Sequence, residues 1–143
     1  MKTRHWLFLV GLVVLVAWTI TGCSLLGVSI DSRISMFFSD LNGDRTKAYL
    51  NLDPNSTTYG TVGQTTTVWD SNFPVADEPF SYTITSTAPY SASGVSITIS
   101  GLAASGGSYL FIFVNRGSTF DNYCISDIRS VAGSTTTSIF GLP

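Results

Sequence analysis

Phe80-Ser81-Tyr82-Thr83-Ile84-Thr85 and Val95-Ser96-Ile97-Thr98-Ile99-Ser100 decide the class of this chain. In both, apolar and hydroxyl side chains alternate strictly. Successive side chains of an extended strand point to opposite faces, so each run predicts a strand with one buried face. Pro89 to Gly94 and Gly101 to Gly107 supply the turns between them. Tyr109 to Val114 is apolar without a break, which predicts a strand covered on both faces. Arg116 to Asn122 turns the chain again, and Tyr123 to Val131 makes a last strand. Four strands joined by short turns predict an antiparallel meander.

Upstream, the hydrophobic period changes. Ile30, Ile34, Phe37, Phe38 and Leu41 recur at three- and four-residue spacing, the pattern of one helix face. Ser29 or Asp31 caps the start, and Asn42-Gly43 ends the helix. Asp44 is placed to cap a second short helix with Ala48, Tyr49 and Leu52 inward. Pro54 stops it by disfavouring helical backbone at Asp53. Residues 55–67, rich in Asn, Ser, Thr, Gly and Gln, read as a loop that Val68, Trp69 and Phe73 dock on the core. Helices first and an antiparallel sheet after them predict an α+β domain over residues 29–131. The alternative is an all-β sandwich. From Ala132 the residues are small and polar until Ile139-Phe140, and residues 132–143 read as a mobile tail.

The N-terminus is of another kind. Lys2 and Arg4 precede an apolar run from Trp6 to Ile20, which is shorter than the ~20 residues that a spanning helix needs. It ends in Ile20-Thr21-Gly22-Cys23, which resembles the lipobox of bacterial lipoproteins. The resemblance implies a signal peptide over residues 1–22 and a lipidated tether over 23–28. The Cys23 thiol would carry a diacylglyceryl group, and its freed amine a further acyl chain such as palmitate. Ser24, not Asp, follows the cysteine, which by the same resemblance favours the outer membrane. The membrane, through lipid on Cys23, is therefore the expected partner.

Such cleavage would take two of the seven basic residues and none of the nine acidic ones, leaving a net charge of about −4. It would also take His5, the only histidine, so a mature chain has no imidazole for a Ser-His-Asp triad or a histidine metal site. With Cys23 acylated, Cys124 has no second thiol, so neither a disulfide nor a thiolate zinc site is expected, and Cys124 reads as a small buried hydrophobe. Without a basic run, nucleic acid is not an expected partner. No residue pattern requires a cofactor.

The order of elements resembles the nuclear transport factor 2-like superfamily. The carrying residues are Met36 to Asp44, then Tyr49-Leu50, Asp53-Pro54 and the closing strands. That resemblance implies a curved, cone-like sheet around the N-terminal helices, although this chain shows no clear third helix between Pro54 and Phe80. It also makes Asp127 the weak candidate for a catalytic base, in a pocket with Tyr49, Tyr82 or Tyr123, as in pocket isomerases and dehydratases. The competing reading pairs Asp127 with Arg129 or Arg116 at a sheet edge, facing water.

Asp40-Leu41-Asn42-Gly43-Asp44 resembles half of a calcium loop, but Arg45 replaces the required Gly and Asn51 the bidentate acid, so a helix end followed by a cap is expected. Asp77-Glu78 reads as a solvated loop. The loop aromatics Trp69, Phe73, Tyr90 and Phe120 either rim a binding site or plug the core. The expected role is non-enzymatic: binding a small apolar ligand or docking on another envelope protein. A pocket-type enzyme and a structural surface lipoprotein without a pocket are the alternatives.

Overall fold

A computed structural model describes residues 27–56, 60, 64–91, 94–101 and 107–141. The expected signal peptide, with Cys23, lies outside the described residues. The fold is α+β. Its described strands form one antiparallel sheet in the order β1-β2-β3-β4-β5: Thr83–Ser91, Gly94–Ser100, Ser108–Asn115, Tyr123–Ala132 and Thr135–Ser138. Helices α1 (Ile30–Gly43) and α2 (Thr66–Asn72) share a core with the sheet. Helices rather than a second sheet thus cover it, and the sandwich alternative falls.

Helix α1 forms where the spacing predicts. The Ser29 hydroxyl accepts the Ser32 amide, satisfying a donor that the first turn leaves unpaired. Ile34, Phe37, Phe38 and Leu41 are buried along one stripe. Each such side chain contributes about 1.5–3 kcal/mol when fully removed from water. Asp44 then caps a 3-10 helix, Arg45–Asn51, by accepting the Thr46 amide. Asn42 and Asp44 are thereby spent on structure: Asn42 also clamps Phe80, accepting its amide at 2.7 Å and donating to its carbonyl at 3.0 Å.

That clamp delays the first strand. Phe80 has its backbone groups on Asn42 instead of on a neighbouring strand, so β1 begins at Thr83, not at Phe80. It also runs on through the expected turn to Ser91. Pro89 is tolerated there because β1 is an edge strand of the described sheet, with a register irregularity directly after the proline.

Three further expectations are corrected. The loop ahead of Phe73 contains α2, whose face carries Trp69 into the core and sets Phe73 just beyond its end. This supplies helix between Pro54 and Phe80, where the sequence shows none clearly. The supposed tail is a fifth strand: Gly133, at φ +61°, makes the turn, and β5 pairs with β4 through Arg129↔Ser138 to Ala132↔Thr135. Phe140 is buried edge-on against Trp69 at 5.9 Å. β5 escapes the apolar-alternation test because Thr135, Thr136 and Thr137 are all exposed.

The core is aromatic. Phe37 makes edge contacts with Phe38, Trp69, Phe73 and Phe111, at centroid distances of 5.4–6.0 Å. Phe38 stacks on Tyr82 at 4.7 Å. Such pairs contribute about 0.5–1.5 kcal/mol beyond the area they bury. At the other end of the domain, Val28 pairs with Asn122 and Leu52 with Ile125, which fastens the start of the chain and the 3-10 helix to β4.

Candidate functional site

Asp127 is buried, with 4 % of its surface exposed, but it does not face the tyrosines. A bulge sets it there. Asp127 pairs with Ile112 and Ile125 with Phe113, so Ser126 is the extra residue. Its hydroxyl donates to the Ile112 carbonyl at 3.1 Å. The bulge lets Ile125 and Ile128 share the core, although strict alternation puts them on opposite faces. Asp127 shares the opposite face with Ile112, which lies between the core residues Phe111 and Phe113.

On that face the carboxylate accepts the Arg129 Nε–H at 2.7 Å and the Ser138 hydroxyl at 2.7 Å. β4 lies between β3 and β5, so this is neither a sheet edge nor a water-facing acid. Both oxygens are engaged by donors that hold the anion. An acid in this setting ties β5 to β4. Tyr49, Tyr82 and Tyr123, its supposed partners, pack instead against the aromatic core.

Several other acids are also engaged. Asp53 receives Arg116 through two bonds, 3.0 and 2.6 Å, a fork-on-fork pairing. The Arg116 guanidinium is held charged by this carboxylate, its pKa raised above the ordinary value. Glu78 and Asp70 both accept Arg45, which also donates to the Phe73 carbonyl and lies 5.8 Å over the Phe80 ring. The residue that spoils the calcium-loop pattern is thus the clamp that closes the 3-10 helix on α2. Asp40 accepts Asn51, so Asn51 serves this network instead of a cation.

Sequence reading missed Arg33. It lies in the apolar stripe of α1, is buried, and donates to the Tyr123 carbonyl at 2.8 Å and to Asn51 and Asn122 at 3.4 Å each. Burial lowers its pKa, partly countered by Asp40. Its signal was available: a basic residue one turn after Ile30 and directly before Ile34, on a face otherwise apolar.

A cleft of about 310 Å³ opens beside the first turn of α1. Ser29, Ile30 and Asp31 form one wall, and Thr87 of β1, Ile97 of β2 and Tyr123 of β4 the other. Of the loop aromatics, Trp69 and Phe73 plug the core, whereas Phe120 is 73 % exposed. The Tyr90 side chain lies outside the described residues.

Cys124 is fully buried and is disulfide-bonded, which corrects the expectation of a lone thiol. Its partner lies outside the described residues. The sequence holds one other cysteine, Cys23.

Among the described residues, no helix is long and apolar enough to cross a membrane. No protein-family model, curated protein or solved structure matches this chain.

Proposed function

We propose that this chain is a lipid-anchored lipoprotein of the bacterial cell envelope, held by acyl chains on Cys23, whose domain acts by binding and not by catalysis. The observation that carries the non-enzymatic half is Asp127. The one acid with a case for general-base work has both oxygens committed to Arg129 and Ser138, on the face away from the tyrosines. The anchor half rests on the sequence before Cys23. The early fastening of the domain supports it, because Val28 is already bonded to β4 five residues after the cysteine. Two or three acyl chains hold a protein at a bilayer durably, whereas one does so only marginally.

Between ligand and partner, the filled aromatic core favours docking on another envelope protein. A small apolar ligand has the cleft beside α1, whose volume lies at the lower end for small-molecule sites. The cone-like sheet belongs to the same proposal. Residues from β1, β2 and β4 border one cleft with the first turn of α1, as a sheet curled around that helix would bring about. Each of the five basic residues outside the leader pairs with an acid or a carbonyl, which supports leaving nucleic acid out.

The disulfide on Cys124 favours a second reading. A thiol alkylated by lipid cannot also be oxidised to a disulfide. If Cys23 is the partner, the chain is exported with its cysteine as cystine and without lipid on that sulfur. Both readings suit an oxidising compartment outside the cytosol.

The intact mass of the protein from bacterial membranes separates the two. A chain beginning at Cys23 and carrying acyl mass, with Cys23→Ser released or left as precursor, fits the anchor. A soluble, acyl-free chain two hydrogens lighter than its reduced form refutes it. Native mass spectra of the same preparation would reveal a retained small molecule if the cleft is occupied, or a clean mass if docking is the role.

A further inference from the structure

We infer that Phe120 is a second membrane contact, a side chain that enters the bilayer interface beside the lipid anchor. The inference rests on the anchor reading for Cys23 and falls if Cys23 is instead the disulfide partner of Cys124. It starts from the loop between β3 and β4. Asn115 orders this loop, its side-chain oxygen accepting the amides of Gly117 and Asn122 at 2.9 and 3.0 Å. The Asn115 amide group donates to Asp121 at 2.8 Å, and the Arg116 amide to the Asn122 carbonyl at 2.9 Å. At Gly117 a side chain would run into the Phe120 carbonyl, so glycine lets the loop close. A loop fastened this firmly nonetheless presents its one large apolar side chain to solvent, 73 % exposed. Gly117, Ser118 and Thr119, also exposed, carry no charge.

The start of the chain lies against this loop. A side chain at Gly27 would come within 3.4 Å of the Phe120 Cβ and 3.2 Å of the Asp121 carbonyl oxygen. The Val28 amide donates to that same carbonyl at 2.8 Å, and the Val28 carbonyl accepts the Tyr123 amide at 3.0 Å. Four residue steps separate Cys23 from Gly27. Fully extended, they reach at most about 14 Å. An acylated Cys23 sits at the membrane surface, so the tether holds Gly27 within that distance of it, and the Phe120 Cβ packs against Gly27.

The bilayer is the occupant that these observations select. One exposed aromatic on a short loop is far from the ~800 Å² per partner that a stable protein interface buries. A bilayer interface needs no shape complementarity and takes aromatic side chains readily. A single Phe does not bind a membrane alone, but the anchor makes its contact intramolecular, at high effective concentration.

The test uses Phe120→Trp in the full chain, processed by the bacterium and reconstituted in phosphatidylethanolamine–phosphatidylglycerol vesicles with or without bromine on the acyl chains. Trp69 is the internal reference, being fully buried, and cleavage removes Trp6 and Trp18. An intact mass is taken from the same sample. An acylated protein whose emission shifts to the blue and falls by about half in brominated vesicles, while the parent barely changes, supports the contact. An acylated protein without quenching overturns it and leaves the anchor standing. A blue shift that depends on protein concentration but not on bromine also overturns it, in favour of a second copy as occupant. A mass without acyl chains sinks the anchor reading, and this inference with it.

Discussion

Asp127→Asn should destabilise the domain by about 2 kcal/mol, and the sign of the effect carries the argument. The carboxylate accepts two bonds of 2.7 Å, from Arg129 and Ser138. Hydrogen bonds to a charged group contribute about 1.5–3 kcal/mol each, and neutral ones about 0.5–1.5. The asparagine side chain has one oxygen in place of two. It keeps one bond at neutral strength and turns an amide donor towards the other partner. The gross loss of about 3 kcal/mol is offset in part, because a neutral side chain no longer requires burial of an anion. For a domain of this size the net corresponds to a fall in Tm of about 8 °C. Urea unfolding of the mature protein, followed by Trp69 fluorescence, would measure it. Ser138→Ala and the double variant complete a cycle, with an expected coupling of about 1 kcal/mol. An Asn variant as stable as the parent, or more so, would refute the reasoning. A base poised in a cavity, whose charge the fold must tolerate for function, gives that opposite sign.

Two other predictions concern the C-terminal strand and Tyr109. Ending the chain at Ala132 removes β5, the Ser138 bond to Asp127 and the Phe140 contact with Trp69, so we expect a loss of at least about 3 kcal/mol and a red-shifted Trp69 emission; an unchanged urea midpoint would restore the tail reading. Tyr109 donates to the Asn72 carbonyl at 2.7 Å, and burial first, with Asp77 second, raises its pKa above the ordinary value of 10.0. The folded state therefore holds this proton more tightly than the unfolded chain. Its contribution is complete below pH 10 and is lost as pH rises through the folded pKa. Tyr109→Phe should be less stable than the parent at pH 8 and lose less on going to pH 11; parallel pH profiles would contradict this.

Much of the architecture was legible because its signal is local and periodic. α1 announced itself through Ile34, Phe37, Phe38 and Leu41, and the inner strands through alternation at Val95–Ser100 and the apolar run at Tyr109–Val114. β5 was not legible, since a strand with three exposed threonines has no apolar period to read. α2 was hidden because its seven residues bury little besides Trp69. The candidate base failed for a different reason. One inserted residue, Ser126, reverses which neighbours of Asp127 face the core, and a bulge leaves no mark in composition. Arg33 was legible and was passed over: an arginine inside an apolar stripe asks where its five donors go. Here three of them go to the Tyr123 carbonyl of β4 and to the side-chain oxygens of Asn51 and Asn122.

That placement has a consequence for the order of events during synthesis. α1 emerges early, yet the carbonyl that receives its Arg33 belongs to Tyr123, 90 residues later. The Val28 strand pairing likewise waits for Asn122. At about 5–20 residues per second, on the order of ten seconds separate the helix from its dock. Throughout that interval Val28 and the first turns of α1 lack the contacts that fasten them at β4. On the anchor reading proposed above, the cut before Cys23 would then fall before the domain is able to lock its own first residues down.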